Sequence, residues 1–489
     1  MNRYDNYIEQ LFQNQNIGAE ESQKNLYSKE QYENLLKVVL EVLKENKDAS
    51  FQELREQLYQ KSKIESLLKD FIQTRKMAPG AVISYGTRNF QEKLVIGNSQ
   101  EVILQDGKWL PNVKEMDENT LFDLASCTKL FTAIAALKLV EQGELDLSAD
   151  VTKYAPQFVN LKGIPVFQLL TFEPLETKTR IEKAENVEQA EQILFEASKK
   201  EVAYGSNMYN DFAPMVLKYV IEKASGMKYE DYLYLEILQS INMNNTFVKV
   251  PESKLNNTAN GNYDGRYYKD GNFLIRTAAT LGVSTDDKAR ILGQPQEILS
   301  GHAGLFSCSE DMTKLAKALI DNKIINLDTR NYMAKNRCGF HFVTDDGKDK
   351  YSQYLGMLCY SKNPNLGSSE VHHLLSGRSF ASAGWSGTQL TVDPINGLNL
   401  SLLSNRSHNR MTFIDGTKKD KVQIHESGLK TIILPDGREM IDATRYAWDR
   451  DDILHKCIEL AFQYKMLEDI TGYEKSTSKE TDKTLRKIK

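Results

Sequence analysis

The sequence of 489 residues predicts an α/β (α+β) fold of two lobes, an antiparallel sheet built from both ends of the chain and an inserted, mainly helical lobe. Two observations favour this fold. Strand-like patterns occur at 81–97 and again at 389–403, and the stretch between them has mainly helical spacing. The chain also exceeds the usual size of a single core, so two lobes or several domains are expected.

The first 75 residues are predicted to form a helical extension. Ser28 and Ser50 are followed three residues later by Gln31 and Glu53, the pattern of a capping box. Leucines follow both serines at helical spacing, so each helix has an apolar face. That face either packs on the main domain or serves a partner or self-association, and the sequence leaves both alternatives open.

The main domain is predicted over 76–468. Its parts are a sheet lobe at about 76–115 and 376–468 and a helical lobe at about 116–375. Within the sheet lobe, Asn396-Gly397 and Pro435-Asp436-Gly437 are typical of hairpin turns. An amphipathic helix is expected over 450–468. The charged tail, 469–489, has few large apolar residues and is predicted to be disordered.

The composition argues against several classes of function. The net charge is −5, and no run of Lys and Arg alternates with aromatic residues, so nucleic-acid binding is not expected. No apolar stretch approaches the ~20 residues that span a bilayer. The N-terminus lacks the pattern of a secretory signal, so a cytoplasmic location is predicted. Five scattered cysteines predict reduced thiols and no zinc framework, with Cys127 as a packing residue.

A serine and a lysine three residues apart, Ser126 and Lys129, open an apolar helix that is predicted to end at Gly143. Residues at i and i+3 lie on one helix face, so the hydroxyl and the amine point into the same space. Burial favours the neutral amine, which can act as a base, and the helix N-terminus suits an oxyanion. The same spacing at Ser66 and Lys69 lacks this apolar setting. The sequence therefore predicts an acyl-accepting nucleophile at Ser126.

Tyr209 and Asp211 precede a second apolar helix and suit the same chemistry. A phenol beside a lysine ammonium is expected to shift towards phenolate and to transfer a proton. A carboxylate can hold the lysine by a charge-assisted hydrogen bond. Taken alone, a Tyr-x-Asp segment is also typical of an ordinary loop.

Small residues precede the second pair of strands, at Ser382, Ala383 and Gly384, and Trp385 follows them. Small side chains allow a substrate backbone to lie along the edge of a strand. The alternative interpretation is an ordinary glycine-rich turn. Placed together with Ser126, the segment is interpreted as the substrate-binding edge of the site.

In order and spacing, these segments resemble the β-lactamase and penicillin-binding-protein family of serine hydrolases, especially its class C-like, D,D-peptidase and esterase branch. The resemblance covers roughly 78–410. The landmarks in chain order are Ala78-Pro79-Gly80-Ala81, Phe122-Asp123-Leu124-Ala125-Ser126 with Lys129, Gly143-Glu144-Leu145-Asp146-Leu147, Tyr209-Asn210-Asp211, Gly301-His302-Ala303-Gly304-Leu305-Phe306-Ser307 and Leu402-Leu403-Ser404-Asn405-Arg406.

The resemblance implies a role for each residue. Ser126 is acylated, and Lys129 and Tyr209 share the work of general base and general acid. Asp211 takes the place usually held by Asn. The backbone N–H groups of Ser126 and Trp385 form the oxyanion hole. His302 is expected to be structural, because the chemistry of the family does not use it.

The sequence departs from the family at two places. Ser382 stands where a Lys or His usually helps to bind a substrate carboxylate, and Phe172 lies in an altered loop beside the site. The expected function is therefore a serine hydrolase for an amide or ester of a small molecule or short peptide, with no metal or other cofactor. The alternatives are an acyltransferase on the same site and a binding or scaffold protein that has lost efficient catalysis.

Overall fold

The computed structural model describes residues 4–203, 205–268, 270–277, 281–365, 369–416, 421–473 and 482–489. In these ranges the α-helices are α1 (Asp5–Asn16), α2 (Lys29–Glu45), α3 (Phe51–Ser62), α4 (Ile64–Lys69), α5 (Thr128–Gln142), α6 (Val151–Tyr154), α7 (Val166–Leu170), α8 (Val187–Phe195), α9 (Phe212–Ser225), α10 (Tyr229–Leu233), α11 (Asp287–Ile291), α12 (Ser309–Ile320), α13 (Leu327–Ala334) and α14 (Tyr446–Thr471). No helix of the described ranges is long and apolar enough to cross a membrane.

The strands of the same ranges are β1 (Gly80–Gly86), β2 (Phe90–Gln105), β3 (Lys108–Glu115), β4 (Phe122–Asp123), β5 (Leu175–Glu176), β6 (Ser198–Lys199), β7 (Asp264–Tyr267), β8 (Phe273–Arg276), β9 (Phe306–Ser307), β10 (His341–Val343), β11 (Asp349–Tyr351), β12 (Tyr360–Ser361), β13 (Phe380–Gly384), β14 (Thr388–Asp393), β15 (Leu398–Ser404), β16 (Arg410–Ile414), β17 (Val422–Ile424), β18 (Lys430–Ile433), β19 (Glu439–Asp442) and β20 (Asp482–Ile488).

The largest sheet has eight strands and joins the two ends of the chain. Its order is β12-β13-β14-β15-β1-β2-β20, and β3 also pairs with β2. In the centre, β1 runs antiparallel to β15, with Ala81 opposite Ser404. The predicted turns at Asn396-Gly397 and Pro435-Asp436-Gly437 connect β14 to β15 and β18 to β19. The predicted two-lobed fold, with a sheet from both chain ends, is confirmed.

Helix α5 lies at the centre of the helical lobe. All residues from Thr128 to Leu137 are buried, because this helix is apolar on every side. It ends at Gly143, whose φ of 79° is the left-handed conformation that favours glycine. The core around α5 continues to the sheet at Phe380 and Val392. One face of the sheet thus supports the start of α5.

The N-terminal helices share a separate core with α14. Leu35 of α2 and Leu58 of α3 belong to the same cluster as Ile453 and Phe462 of α14. The apolar faces of these helices are therefore covered by the chain itself, and the self-association considered above stays a prediction. The division of the chain at 75 and 468 likewise stays a prediction.

The two predicted capping boxes differ in the structure. Ser50 accepts a hydrogen bond from the Glu53 backbone, and the Glu53 side chain bonds back to the backbone of Ser50. Ser28 lies at the N-cap of α2, but its side chain makes no capping hydrogen bond. The start of each helix was therefore predicted correctly, although only Ser50 forms the box.

A second sheet, of six strands, was not predicted. Its order is β17-β18-β19-β16-β7-β8, and Met411, Ile432 and Met440 form its core. β7 and β8 come from the stretch that was assigned to the helical lobe. They pair with β16 because the apolar side chains of both regions are too few to form separate cores. Helices are thus the main regular elements of 116–375, and the region also contributes one hairpin to this sheet.

The tail was predicted to be disordered, and this is wrong for its last residues. β20 pairs with β2 in parallel, with Leu485 opposite Lys93. Ile488 is buried, and Arg486 forms an ion pair with the fully buried Glu92. Pairing of the backbone and neutralisation of a buried carboxylate order a segment whose composition is mostly charged. The part of the tail at 474–481 lies outside the described residues.

Candidate active site

The candidate nucleophile lies in a strained turn between β4 and α5. Ala125 has a φ of 46°, a conformation that costs a residue with a side chain about 1–2 kcal/mol. Asp123 holds this turn, because its carboxylate accepts hydrogen bonds from the N–H of Ala125 at 2.9 Å and of Thr285 at 2.7 Å. Burial raises the pKa of Asp123, against the effect of these bonds. The turn leaves Ser126 partly exposed among buried neighbours.

Lys129 lies one turn further along and is 1% exposed. Its Nζ donates hydrogen bonds to Ser126 Oγ at 2.9 Å and to the His302 carbonyl at 3.1 Å. It also lies 2.8 Å from Asp211 Oδ1. An ammonium has three protons to donate and no lone pair, so these three acceptors fit the charged amine. Burial was expected to favour the neutral amine, and the structure surrounds it instead with partners for its charge.

Tyr209 completes the contact with the nucleophile. The Ser126 side chain lies close to its hydroxyl and acts to lower the pKa of Tyr209. Lys129 Nζ lies 4.9 Å from the centre of its ring, which also stacks on Tyr360. Burial and the nearby Asp211 carboxylate raise the pKa of Tyr209 well above its usual value. This raised pKa goes against a shift towards phenolate and favours Tyr209 as a neutral phenol that can donate a proton.

Asp211 contacts two lysines. Besides Lys129, its Oδ2 lies 3.2 Å from Nζ of Lys288 on α11. Burial by itself raises the pKa of Asp211, but the charges of Lys129, His302 and Lys288 lower it below the usual value. Asp211 is thus a carboxylate at neutral pH, as expected for a residue that holds Lys129.

Asp286 extends these contacts beyond Asp211. Asp286 Oδ2 lies 3.8 Å from Lys288, and Asp286 Oδ1 accepts a hydrogen bond from His302 Nε2 at 3.0 Å. His302 Nδ1 lies 2.9 Å from Ser300 Oγ, so both ring nitrogens have partners. His302 is fully buried, and its carbonyl is the acceptor for Lys129. These contacts are those of a structural residue, as was expected for His302, because they hold Asp286 and Lys129 in place.

Asp211, Asp286 and His302 are residue types that can ligate a metal ion. Their ligand atoms lie within 4.8 Å of one another. However, the two lysine side chains already contact the carboxylates that a cation would need. Ion pairs account for this cluster without a metal ion.

Strand β13 lies directly against the nucleophile turn. Cys127 Sγ donates to the Ser382 carbonyl at 3.2 Å, and a Cβ on Gly384 would lie 2.3 Å from the Leu124 carbonyl oxygen. Only glycine permits this approach. Burial raises the pKa of Cys127 to about 11, so this thiol is a packing residue as expected.

The side chains of β13 alternate between its two faces. Ser382 is 3% exposed and lies on the same face as Phe380, which packs in the core of the helical lobe. Ala383 lies on the other face and is opposite Gln389. Ser382 therefore faces the lobe that carries the nucleophile, as its proposed contact with substrate requires.

Trp385 follows β13 and is 42% exposed. The next residue, Ser386, donates to the Asp123 carbonyl at 2.6 Å, so the backbone on both sides of Trp385 is held to the nucleophile turn. The guanidinium groups of Arg266 and Arg406 lie 5.0 Å and 4.6 Å from the Trp385 ring. Sequence reasoning missed Arg266, and it placed Arg406 in a landmark segment without giving it a role at the site.

Asn210 is a further residue that sequence reasoning missed, although it lies inside the Tyr-Asn-Asp motif. Its amide donates to the carbonyls of Phe172 and Glu173, both at 3.0 Å, and its Oδ1 accepts the N–H of Ala213. Phe172 has a φ of 61°, and its ring packs on Tyr209. The altered loop thus packs on the site through Asn210 and Phe172.

A cavity of about 370 Å³ adjoins Tyr209 and Asp211. Apolar side chains of Leu175, Ile181 and Met208 line it, and Lys288 lies at its inner wall. Its size suits a medium-sized organic group, and its position places that group beside Tyr209 and Asp211.

Comparisons with known proteins show the family of the chain. The Beta-lactamase family matches residues 87–423, which is more than half of the chain. A putative D-alanyl-D-alanine carboxypeptidase of Salmonella typhi is 25% identical over 371 residues, covering 68% of this chain and 77% of the relative.

Solved structures show the same fold at low identity. EstCE1, described as a hydrolase with promiscuous acyltransferase activity, has a TM-score of 0.53 at 17% identity and covers 82% of this chain and 99% of its own. A beta-lactamase/D-alanine carboxypeptidase from Pseudomonas syringae has a TM-score of 0.50 at 18% identity and covers 71% of this chain and 93% of its own. The resemblance drawn from the sequence is confirmed.

Proposed function

The chain belongs to the Beta-lactamase family, and on this premise we propose that it is a serine hydrolase that cleaves an amide or ester through an acyl-enzyme on Ser126. The observation that supports this most directly is the hydrogen bond from Lys129 Nζ to Ser126 Oγ, at 2.9 Å, with the Tyr209 ring centre 4.9 Å from the same amine. A serine hydroxyl is a weak nucleophile and needs such neighbours to take its proton.

In the proposed acylation, Ser126 Oγ attacks the carbonyl carbon of the substrate while its proton passes to Lys129. Lys129 must first be neutral, and the carboxylate of Asp211 then receives hydrogen bonds from the amine instead of the ammonium. Tyr209, a neutral phenol, donates a proton to the leaving amine or alkoxide, and the bond from the carbonyl carbon to that group breaks. A water molecule then attacks the carbonyl carbon of the acyl-enzyme and gives a proton to the Tyr209 phenolate. The bond from that carbon to Ser126 Oγ breaks, and the Lys129 ammonium returns a proton to Ser126 Oγ, so that all three residues regain their starting states.

The negative charge that develops on the carbonyl oxygen needs donors that are already in place. We assign this role to the backbone N–H groups of Ser126 and Trp385. The close approach of Gly384 to Leu124 and the hydrogen bond from Ser386 to Asp123 fix the two segments relative to each other. Loss of one such donor typically costs about 10²–10³-fold in kcat.

The substrate class follows from Ser382 and from the relatives. The curated relatives are named as putative D-alanyl-D-alanine carboxypeptidases, which suggests a peptide substrate. A cation at position 382 is missing, so recognition of a free carboxylate is expected to be weak at this point of β13. We propose short peptides or small molecules with a neutral ester or amide as the preferred substrates.

Intact-mass spectrometry after incubation with a fluorophosphonate tests the proposal. One adduct is expected on the wild type and none on Ser126→Ala. The matched control is Ser66→Ala, because Ser66 and Lys69 have the same spacing on α4, and this variant should be labelled fully. Labelling that persists in Ser126→Ala would contradict the proposal. Absence of both labelling and ester turnover in the wild type would favour the binding or scaffold alternative.

Acyl transfer is the second candidate, and the cavity beside Tyr209 and Asp211 supports it. An acceptor amine or alcohol in that cavity would lie beside Tyr209 and Asp211, two of the residues assigned to the site. Hydrolysis and acyl transfer differ in whether water or the acceptor attacks the acyl-enzyme. Addition of amines during turnover of an ester tests it, since transfer products at the expense of free acid would favour acyl transfer.

A further inference from the structure

Asp211 stands where the family usually has Asn, and this exchange has a cost for the proposed chemistry. A carboxylate 2.8 Å from Lys129 favours the ammonium, which cannot accept the proton of Ser126. Since Lys129 is 1% exposed, water screens this attraction little. Some other group must offset the charge of Asp211 if Lys129 is to act as a base.

Lys288 is placed to do this. Its Nζ lies 3.2 Å from Asp211 Oδ2, while Lys129 contacts Oδ1. The carboxylate is thus divided between two lysines, one on α5 and one on α11. Lys288 is itself held by Asp286, at 3.8 Å, and Asp286 is fixed by His302.

We propose that Lys288 is a positioning residue of this active site, which shares the Asp211 carboxylate with Lys129 and thereby weakens the attraction of Asp211 for the Lys129 ammonium. The inference rests on the proposed function and names no new step in it. Ser126 still gives its proton to Lys129, and Lys288 acts only through Asp211 and through repulsion of the second ammonium.

Other polar and charged groups also surround Lys129 and Lys288. Ser126, Tyr209 and the His302 carbonyl face Lys129. Glu182 and Asp286 act on Lys288 and, like Asp211, raise its pKa above the usual value against the effect of burial. Lys288 is therefore an ammonium throughout the neutral range.

The same ion pairs form a closed ring around Lys129. From Lys129 the contacts run to Asp211, Lys288, Asp286 and the His302 side chain, and the His302 backbone carbonyl returns to Lys129. Movement of any residue in this ring changes the charges that surround the Asp211 carboxylate. It also changes the position of the His302 carbonyl, which is the third acceptor of Lys129. The ring thus couples the geometry of the amine to its protonation.

The test is the pH dependence of kcat/KM for a neutral ester, and of the rate of fluorophosphonate labelling, in the wild type and in Lys288→Met. In Lys288→Met, the acid limb, which is the pH at which kcat/KM and the labelling rate fall on the acid side, is expected to move upward by about one unit. Both rates should then be about tenfold lower than in the wild type at pH values well below this point, and equal to the wild type above it. Lys288→Arg keeps the charge and should restore the limb. Lys183→Met is the control, since Lys183 is exposed and has no ion pair with any described residue.

The outcomes separate this inference from the proposed function. A wild type in which Ser126 is not labelled would contradict the proposed function itself. If the wild type is labelled but Lys288→Met has an unmoved acid limb, the inference alone is overturned. A uniform loss at every pH would indicate a merely structural role, and a change confined to KM would indicate substrate binding; either result would overturn the inference. Thermal unfolding of each variant verifies that it is folded.

Discussion

Replacement of Gly384 by alanine is expected to move β13 away from the nucleophile turn. The added Cβ would lie 2.3 Å from the Leu124 carbonyl oxygen and 2.3 Å from Thr388 Oγ1. Carbon and oxygen without a covalent bond normally approach to about 3.3 Å. Thr388 Oγ1 already donates to the same carbonyl at 3.0 Å, so neither atom is free to move independently. The two segments must therefore separate by about 1 Å.

That displacement acts on the oxyanion hole, because Trp385 is the next residue. A shift of about 1 Å in a catalytic group costs about 10²-fold in rate, and loss of an oxyanion donor costs about 10²–10³-fold. We therefore expect kcat of Gly384→Ala to fall by about 10²-fold with little change in KM. Overpacking is expected to cost about 1–3 kcal/mol of stability, a shift in Tm of only a few degrees in a protein of this size.

The assay is the kcat and KM of a p-nitrophenyl ester, with Tm measured on the same samples. Gly416→Ala is the matched control, since a Cβ at Gly416 would meet no atom within 4 Å. Activity of Gly384→Ala within about threefold of the wild type at an unchanged KM would refute the reasoning. It would mean that the contact of Gly384 with the Leu124 carbonyl does not hold the Trp385 N–H in place.

Three further predictions concern stability and specificity. Glu92→Ala leaves the buried Arg55, now 3.0 Å from Glu92, without its carboxylate; denaturant unfolding should show a loss of about 3–5 kcal/mol, and a loss below about 1 kcal/mol would contradict it. Burial lowers the pKa of His408 to about 4. Because the unfolded chain then binds a proton that the native state does not, the free energy of unfolding should fall by roughly 3 kcal/mol as the pH falls from about 6.5 to 4. His408→Gln should flatten this slope, and an equally steep slope in that variant would count against it. Ser382→Lys should raise kcat/KM for a carboxylate-terminated peptide over its amide by about ten- to a hundredfold, and an unchanged ratio would show that Ser382 does not face the substrate.

The contact of Ser126 with Lys129 was predictable because both residues lie within one helical turn, where periodicity fixes the geometry. The placement of Tyr209 required the family resemblance, since nothing in the local pattern brings a residue of a distant loop to α5. Lys288 and Asp286 could not be found in this way. They come from a short helix after an irregular segment, and only the fold places them beside Asp211.

The strands of the eight-stranded sheet could likewise be predicted only where the local sequence pattern is strong. Alternating apolar residues predicted β1, β14 and β15, because these strands are buried and their pattern is strong. β20 was missed because its residues are mostly charged, and the rule for disorder counts apolar side chains. A count of apolar side chains does not include ion pairs, so it could not predict that Arg486 of β20 pairs with Glu92, which is buried on β2.

The union of the two chain ends in one sheet has a consequence for how activity appears during refolding. The Gly80 N–H donates to Asn405 Oδ1 across 325 residues of chain. Contacts so distant in sequence form slowly, whereas the local turns of α5 and its neighbours form early. Ser126 lies in the early part and Trp385 in the late part. After dilution from denaturant, the helical circular dichroism signal should therefore return before hydrolysis does, and hydrolysis reports the moment at which the central strands have met.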